Sequence, residues 1–274
     1  MKMNFDILID TPEHTVDMKA GLDTMQGASE ITRVIAETLV SGKVPSRKDH
    51  RNPVRTNLKK SFKGSYGHTF SLDIYDQELK TKFDAIGSEV FSELMTYFFL
   101  GAIYEDTKPL SLAARAKLDE LGEDVADSLF DKLRQTPLKS LHQVPERFNY
   151  TVKLRYRKNA HDQTTLAEAN RATSLKLVPK PSSKVINISA CITRFNIHTG
   201  NGRLLVRGEE ETIPFSLAIP YREVKLDTKK KFTRNLDENN GIDDNDQRKY
   251  LTLPSKTIKT SNGKIVKYIV TGII

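Results

Sequence analysis

The chain has 274 residues, of which 38% are hydrophobic and 28% charged, and carries a formal net charge of +8. That length accommodates two domains of ordinary size, and the single cysteine, Cys191, excludes an intrachain disulfide or a zinc site built from several thiolates. The charge is partitioned, with residues 1–150 summing to −3 and residues 151–274 to +11. Clustered positive charge favours polyanions through release of their counterions, which puts nucleic acid first among partner classes.

Residues 4–9 (NFDILI) form a short β-rich segment. Asp6 and Asp10 in the opening stretch argue against a signal peptide. Over residues 22–40, Met25, Ala28, Ile31, Val34, Ile35 and Leu39 recur at three- and four-residue intervals. That spacing gives one apolar helix face, and the helix is expected to stop at Ser41-Gly42. Residues 54–62 (VRTNLKKSF) and 66–75 (YGHTFSLDIY) read as the arms of a hairpin. Alternation puts Val54, Thr56, Leu58 and Lys60 on one side of the first arm, and Arg55, Asn57, Lys59 and Ser61 on the other. Two helices are expected over 79–104 and 112–133, the second with an acidic outer face. The most apolar run, residues 94–104, is about half the roughly 20 residues that span a bilayer, so it reads as a buried helix. A soluble, cytoplasmic protein is expected.

Residues 150–157 alternate like a basic strand, and 165–172 read as a short helix or a long turn. Residues 178–184 (VPKPSSK) have the composition of a linker. Short β segments follow at 185–197, 203–207, 212–219, 249–253 and 264–269, with a hairpin signal at Asn262-Gly263. The fold class expected is α+β. A small antiparallel sheet with helices would occupy 1–177, a linker 178–184, and a small OB- or SH3-like β-barrel 185–274.

Two basic runs are the candidate nucleic-acid contacts. The first comprises Arg47, Lys48, Arg51, Arg55, Lys59, Lys60 and Lys63. The second, read as part of a long loop, comprises Lys229, Lys230, Lys231, Phe232 and Arg234, where the cations would meet phosphates and the ring would stack on a base. The acidic run at 237–246 makes that loop zwitterionic. It fails as an EF-hand because Gly241 falls at the fifth position and Arg248 at the twelfth. Glu223 and Lys225 have the E-x-K spacing that metal-dependent nucleases place on a strand. None of the six histidines pairs with another at ligand spacing. No catalytic constellation, metal site or cofactor is read. The function expected is non-catalytic binding of DNA or RNA. The first alternative is a protein–protein adaptor or self-assembling scaffold, in which the acidic helix face docks on the basic barrel of another copy. A metal-dependent nuclease using Glu223 and Lys225 is the weaker alternative.

The leading strand, Gly27-Ala28-Ser29 at the helix opening, and the LKKSFKGSY hairpin at 58–66 carry a resemblance. They are similar to an uncharacterised bacterial family that joins such an N-terminal domain to a C-terminal β-domain. The resemblance implies a two-domain α+β chain and a place among mobile-element or antiphage assemblies. It carries over no active-site residue.

Overall fold

The computed structural model describes residues 3–46, 52–62, 66–159 and 161–274. The chain divides into two compact units, Met1–Leu177 and Val178–Ile274. Both contain sheet and helix, and the class is α+β.

In the first unit, strand β1 (Met3–Ile9) leads into the long helix α1 (Met18–Ser41). Asp17 caps that helix, its carboxylate accepting from the Ala20 N–H at 2.9 Å, and Gly42 closes the last turn in the left-handed conformation. The hairpin β2 (Val54–Phe62) and β3 (Tyr66–Ile74) follows, then α2 (Gln77–Ile86), α3 (Ser88–Ala102), α4 (Leu112–Leu121), α5 (Glu123–Gln135), α6 (Pro137–Leu141) and α7 (Gln143–Phe148). Strands β4 (Val152–Arg157) and β5 (Gln163–Ala169) and the short helix α8 (Arg171–Lys176) complete the unit. The sheet runs in the order β2-β3-β1-β4-β5 with every neighbouring pair antiparallel. Met3, Phe5, Ile7 and Ile9 join the helices in one core, which α1, α2 and α3 reach by packing on β2, β3 and β5. The alternate residues Asn4, Asp6 and Leu8 lie on the other face.

Each helix expected over 79–104 and 112–133 is two helices in the structure. Gly87 (φ 78°, ψ 157°) and Gly122 (φ 80°, ψ 153°) break them at a backbone conformation open essentially to glycine alone. The segment 165–172 is the end of a strand followed by a helix start, where Asn170 and Thr173 cap each other.

His142 is buried between α6 and α8. Its Nδ1 lies 2.7 Å from the Leu138 carbonyl and its Nε2 2.8 Å from the Thr173 hydroxyl. A carbonyl only accepts, so Nδ1 carries the proton and donates. Burial lowers the pKa of the ring below its ordinary 6.5. The unfolded chain therefore takes up the proton first, so stability present above pH 6.5 declines as pH falls below it. Melting curves between pH 7.5 and 5 should show a steeper acid decline in the wild type than in His142→Gln. Parallel curves would exclude His142 as the titrating group.

The second unit comprises β6 (Lys180–Phe195), β7 (Gly202–Val206), β8 (Ile213–Leu217), α9 (Leu226–Glu238), β9 (Leu251–Lys259) and β10 (Ile265–Val270). Strand β6 pairs antiparallel with β7 and β9, β7 antiparallel with β8, β8 parallel with β10, and β10 antiparallel with β9. Each of these strands thus hydrogen-bonds to two others. The segment expected as a linker is not one throughout: Lys180 and Pro181 already pair with Lys259 and Ile258 at the start of β6. The main-chain ladder holds these residues without any apolar side chain to signal it.

Ile188, Ala190, Ile192, Leu204, Phe215, Leu253, Tyr268 and Val270 form the second core together with Phe232 of α9. The Phe232 ring stacks on Phe195 and Phe215 at centroid separations of 5.3 and 5.8 Å. Two asparagines one helical turn apart anchor α9. Asn235 Oδ1 accepts from the Ile192 N–H at 2.8 Å, beside the bulge where β6 departs from its register with β7. Asn239 Oδ1 accepts from Lys249 N–H at 2.8 Å, and both amide groups donate to the Lys249 carbonyl.

Candidate nucleic-acid interface

Of the first basic run, Arg47, Lys48, Arg51 and Lys63 lie outside the described residues. Arg55, Lys59 and Lys60 are on β2. Arg55 sits over the Tyr75 ring at 5.0 Å, and Lys59 Nζ donates to Asn4 Oδ1 at 2.6 Å. Simple alternation puts Lys59 and Lys60 on opposite sides. In the structure a bulge at Leu58/Lys60 shifts the register, so Lys60 faces Thr69 and joins Lys59 on the side away from the core.

The second run is not on a loop. Lys229, Lys230, Lys231, Phe232 and Arg234 belong to α9. Phe232 is fully buried and offers no face to a base, because it fills the second core. Lys229 Nζ lies 4.5 Å from the Tyr221 ring centroid, while Lys230, Lys231 and Arg234 are exposed. They share the outer helix surface with Asp227, Asp237 and Glu238 at helical spacing, which divides any phosphate track there.

The nuclease geometry also differs from expectation. Glu223 ends a 3₁₀ turn (Tyr221–Glu223) and Lys225 is the N-cap of α9, so neither stands on a strand. Among the described residues no three His, Cys, Asp or Glu side chains come together as a metal site. Cys191 is buried, with Arg248 Nη1 3.9 Å from its sulfur. Among the described residues no helix is long and apolar enough to cross a membrane.

A third basic surface lies on β6, β9 and β10. Lys256 lies between Val185 and Ile269 and Lys267 faces Ile258 on the outer side of these strands, while Lys180 stands directly opposite Lys259 at the strand end, on the alternate side. Lys184 and Lys264 flank this group on exposed backbone. Val185, the register partner of Lys256, is 46% exposed, so accessible apolar surface lies beside that lysine. The sequence carries a sign of this surface: no Asp or Glu occurs in 169–208 or 247–274, and all ten carboxylates of the second unit lie in 209–246. Sequence reasoning weighted consecutive cations, whereas these lysines converge only through strand pairing.

No family model, no curated protein and no solved structure matches the chain.

Proposed function

We propose that the chain is a non-catalytic nucleic-acid-binding protein whose second unit holds the phosphate backbone on the lysines of β6, β9 and β10, from the outer face of Lys256 and Lys267 to the Lys180–Lys259 pair at the strand end. The observation that carries this reading is the Lys180–Lys259 pair. Like charges directly opposite one another weaken a sheet, and no carboxylate on these three strands relieves them. A polyanion does so, releasing its counterions. The connectivity supports the same reading. Three strands, a helix and two strands, with the third and fifth strands parallel, is the connectivity of OB-type barrels. Such barrels take oligonucleotides on their second and third strands and on loops that include the one between strands four and five. Here that loop is the β9–β10 turn, flanked by Lys259 and Lys264. Val185, Ile258 and Ile269, on the same face as Lys256 and Lys267, supply apolar contact for bases.

Replacing Lys180, Lys256, Lys259 and Lys267 by glutamine is expected to weaken binding of a labelled single-stranded oligonucleotide at least 10-fold at low salt. The slope of log affinity against log salt should fall by about 0.7 for each phosphate contact removed. Alanine at Lys230, Lys231 and Arg234 should have the smaller effect, because carboxylates share that helix surface. Unchanged affinity and slope in the four-lysine variant, with its melting profile intact, would remove this surface from the account.

A further inference from the structure

The first sheet carries a separate cationic cluster built around a buried carboxylate. Asp6, on the central strand β1, has no solvent exposure. Arg157 Nε lies 2.8 Å from each of its oxygens and Nη2 2.6 Å from Oδ2, while the Thr69 hydroxyl donates to Oδ1 at 2.9 Å. These contacts satisfy Asp6. Arg155 is nevertheless placed beside it, with Nη2 3.5 Å from Oδ2 and a buried Nε that has no hydrogen-bond partner. One carboxylate neutralises one guanidinium, so the second positive charge stays uncompensated.

A third cation closes the group. Lys59 is held by Asn4, and Asn4 is the register partner of Arg157. The β2 bulge that turns Lys59 and Lys60 to the same side is the kind of irregularity that re-aims side chains at working surfaces. The Arg157 guanidinium is further fixed 5.4 Å over the Phe62 ring. That ring lies on Gly67, where an added Cβ would come within 2.4 Å of it. The Arg157 guanidinium is thus held in place, and about a fifth of each arginine side chain remains exposed.

We propose that this face is a second phosphate-binding surface, on which Arg155, Arg157 and Lys59 contact the backbone of single-stranded nucleic acid and Asp6 is the positioning residue. Guanidinium forks match phosphate oxygens in bidentate geometry. Lys60 on β2 joins Lys59, so the cations reach from β2 to β4, over about three strand spacings or 14 Å, while Arg55 and Lys153 at the margins face Asp73 and Glu168. A line of charge on a sheet face fits consecutive phosphates of a polymer better than one small anion. No residue is shared with the lysine surface of the second unit, so the two fail separately.

The test uses the full chain and a fluorescein-labelled oligothymidylate of about 20 nucleotides, with anisotropy measured across a salt series. Arg155→Gln with Lys59→Gln leaves the Asp6–Arg157–Thr69 contacts in place. It should weaken binding at least 10-fold at low salt and lower the salt slope by about 1.4. Lys117→Gln on α4, a change of net charge away from the face, should leave the slope unchanged. Asp6→Asn is the sharper arm. It adds positive charge, so a role in net charge alone predicts tighter binding, whereas a positioning role predicts binding several-fold weaker. A normal slope in the double variant, or tighter binding by folded Asp6→Asn, would overturn the proposal while leaving the four-lysine result to judge the second unit. Displacement of the oligonucleotide from this face by millimolar inorganic phosphate at constant ionic strength would assign the cluster to a small anion and equally overturn it.

Discussion

Truncating Phe232 to alanine is expected to destabilise the second unit by about 3–5 kcal/mol, the usual cost of emptying a buried phenylalanine site. Whole domains are stable by only about 5–15 kcal/mol, so this is a large fraction of what holds the unit together. The ring is fully buried and stacks on Phe195 and Phe215, which themselves stack at 6.2 Å. Collapse around the vacancy is limited, because Asn235 and Asn239 fix the helix to β6 and to Lys249 independently of the ring. Phe232→Leu should lose much less. Hydrogen exchange followed by mass spectrometry localises the effect: amides of β6 and β7 should lose protection while those of β1 and β3 keep theirs. A loss below about 1 kcal/mol would mean that α9 is dispensable for the second core.

Arg157→Met is expected to cost about 3–5 kcal/mol in the first unit, because it strands a buried carboxylate. Asp6 would keep the Thr69 hydroxyl and the 3.5 Å contact to Arg155. Neither replaces the three short contacts from Arg157. Removing both charges is a different matter, since well-packed neutral residues substitute for buried ion pairs at little cost. The double variant Asp6→Asn, Arg157→Met should therefore recover most of the loss in chemical denaturation. A double variant as unstable as the single one would show that Arg157 acts through its guanidinium over the Phe62 ring and not through its pairing with Asp6.

The parts of the fold that were legible in sequence are those with apolar periodicity. The helix α1, the hairpin arms and the β-rich second half follow from Ile31–Ile35–Leu39 spacing, from Phe70–Leu72 alternation and from runs of branched residues. What escaped lies where the main chain or a few polar residues carry the structure. Helix α9 buries Phe232, Asn235 and Asn239 along one stripe, two of them polar, so its lysines read as a loop. The beginning of β6 is Lys-Pro-Ser-Ser, held by ladder bonds to β9. The glycines at 87 and 122 look like tolerated helix residues until their backbone angles are known. Both surfaces proposed for binding escaped for one reason: cross-strand register and a bulge assemble them from residues far apart in sequence. Arg155 and Arg157 read only as a basic strand, and nothing in their neighbourhood points to Asp6, about 150 positions away.

The measurement that bears most directly on the account is a salt titration of oligonucleotide binding by the unaltered full chain, with single-stranded and duplex probes of equal length. The account predicts saturable binding of the single strand at low salt. Its log affinity should fall linearly with log salt, at a slope that implies several phosphate contacts at about 0.7 each. The absence of any anisotropy change at low salt, with the chain folded and in micromolar excess, would contradict it.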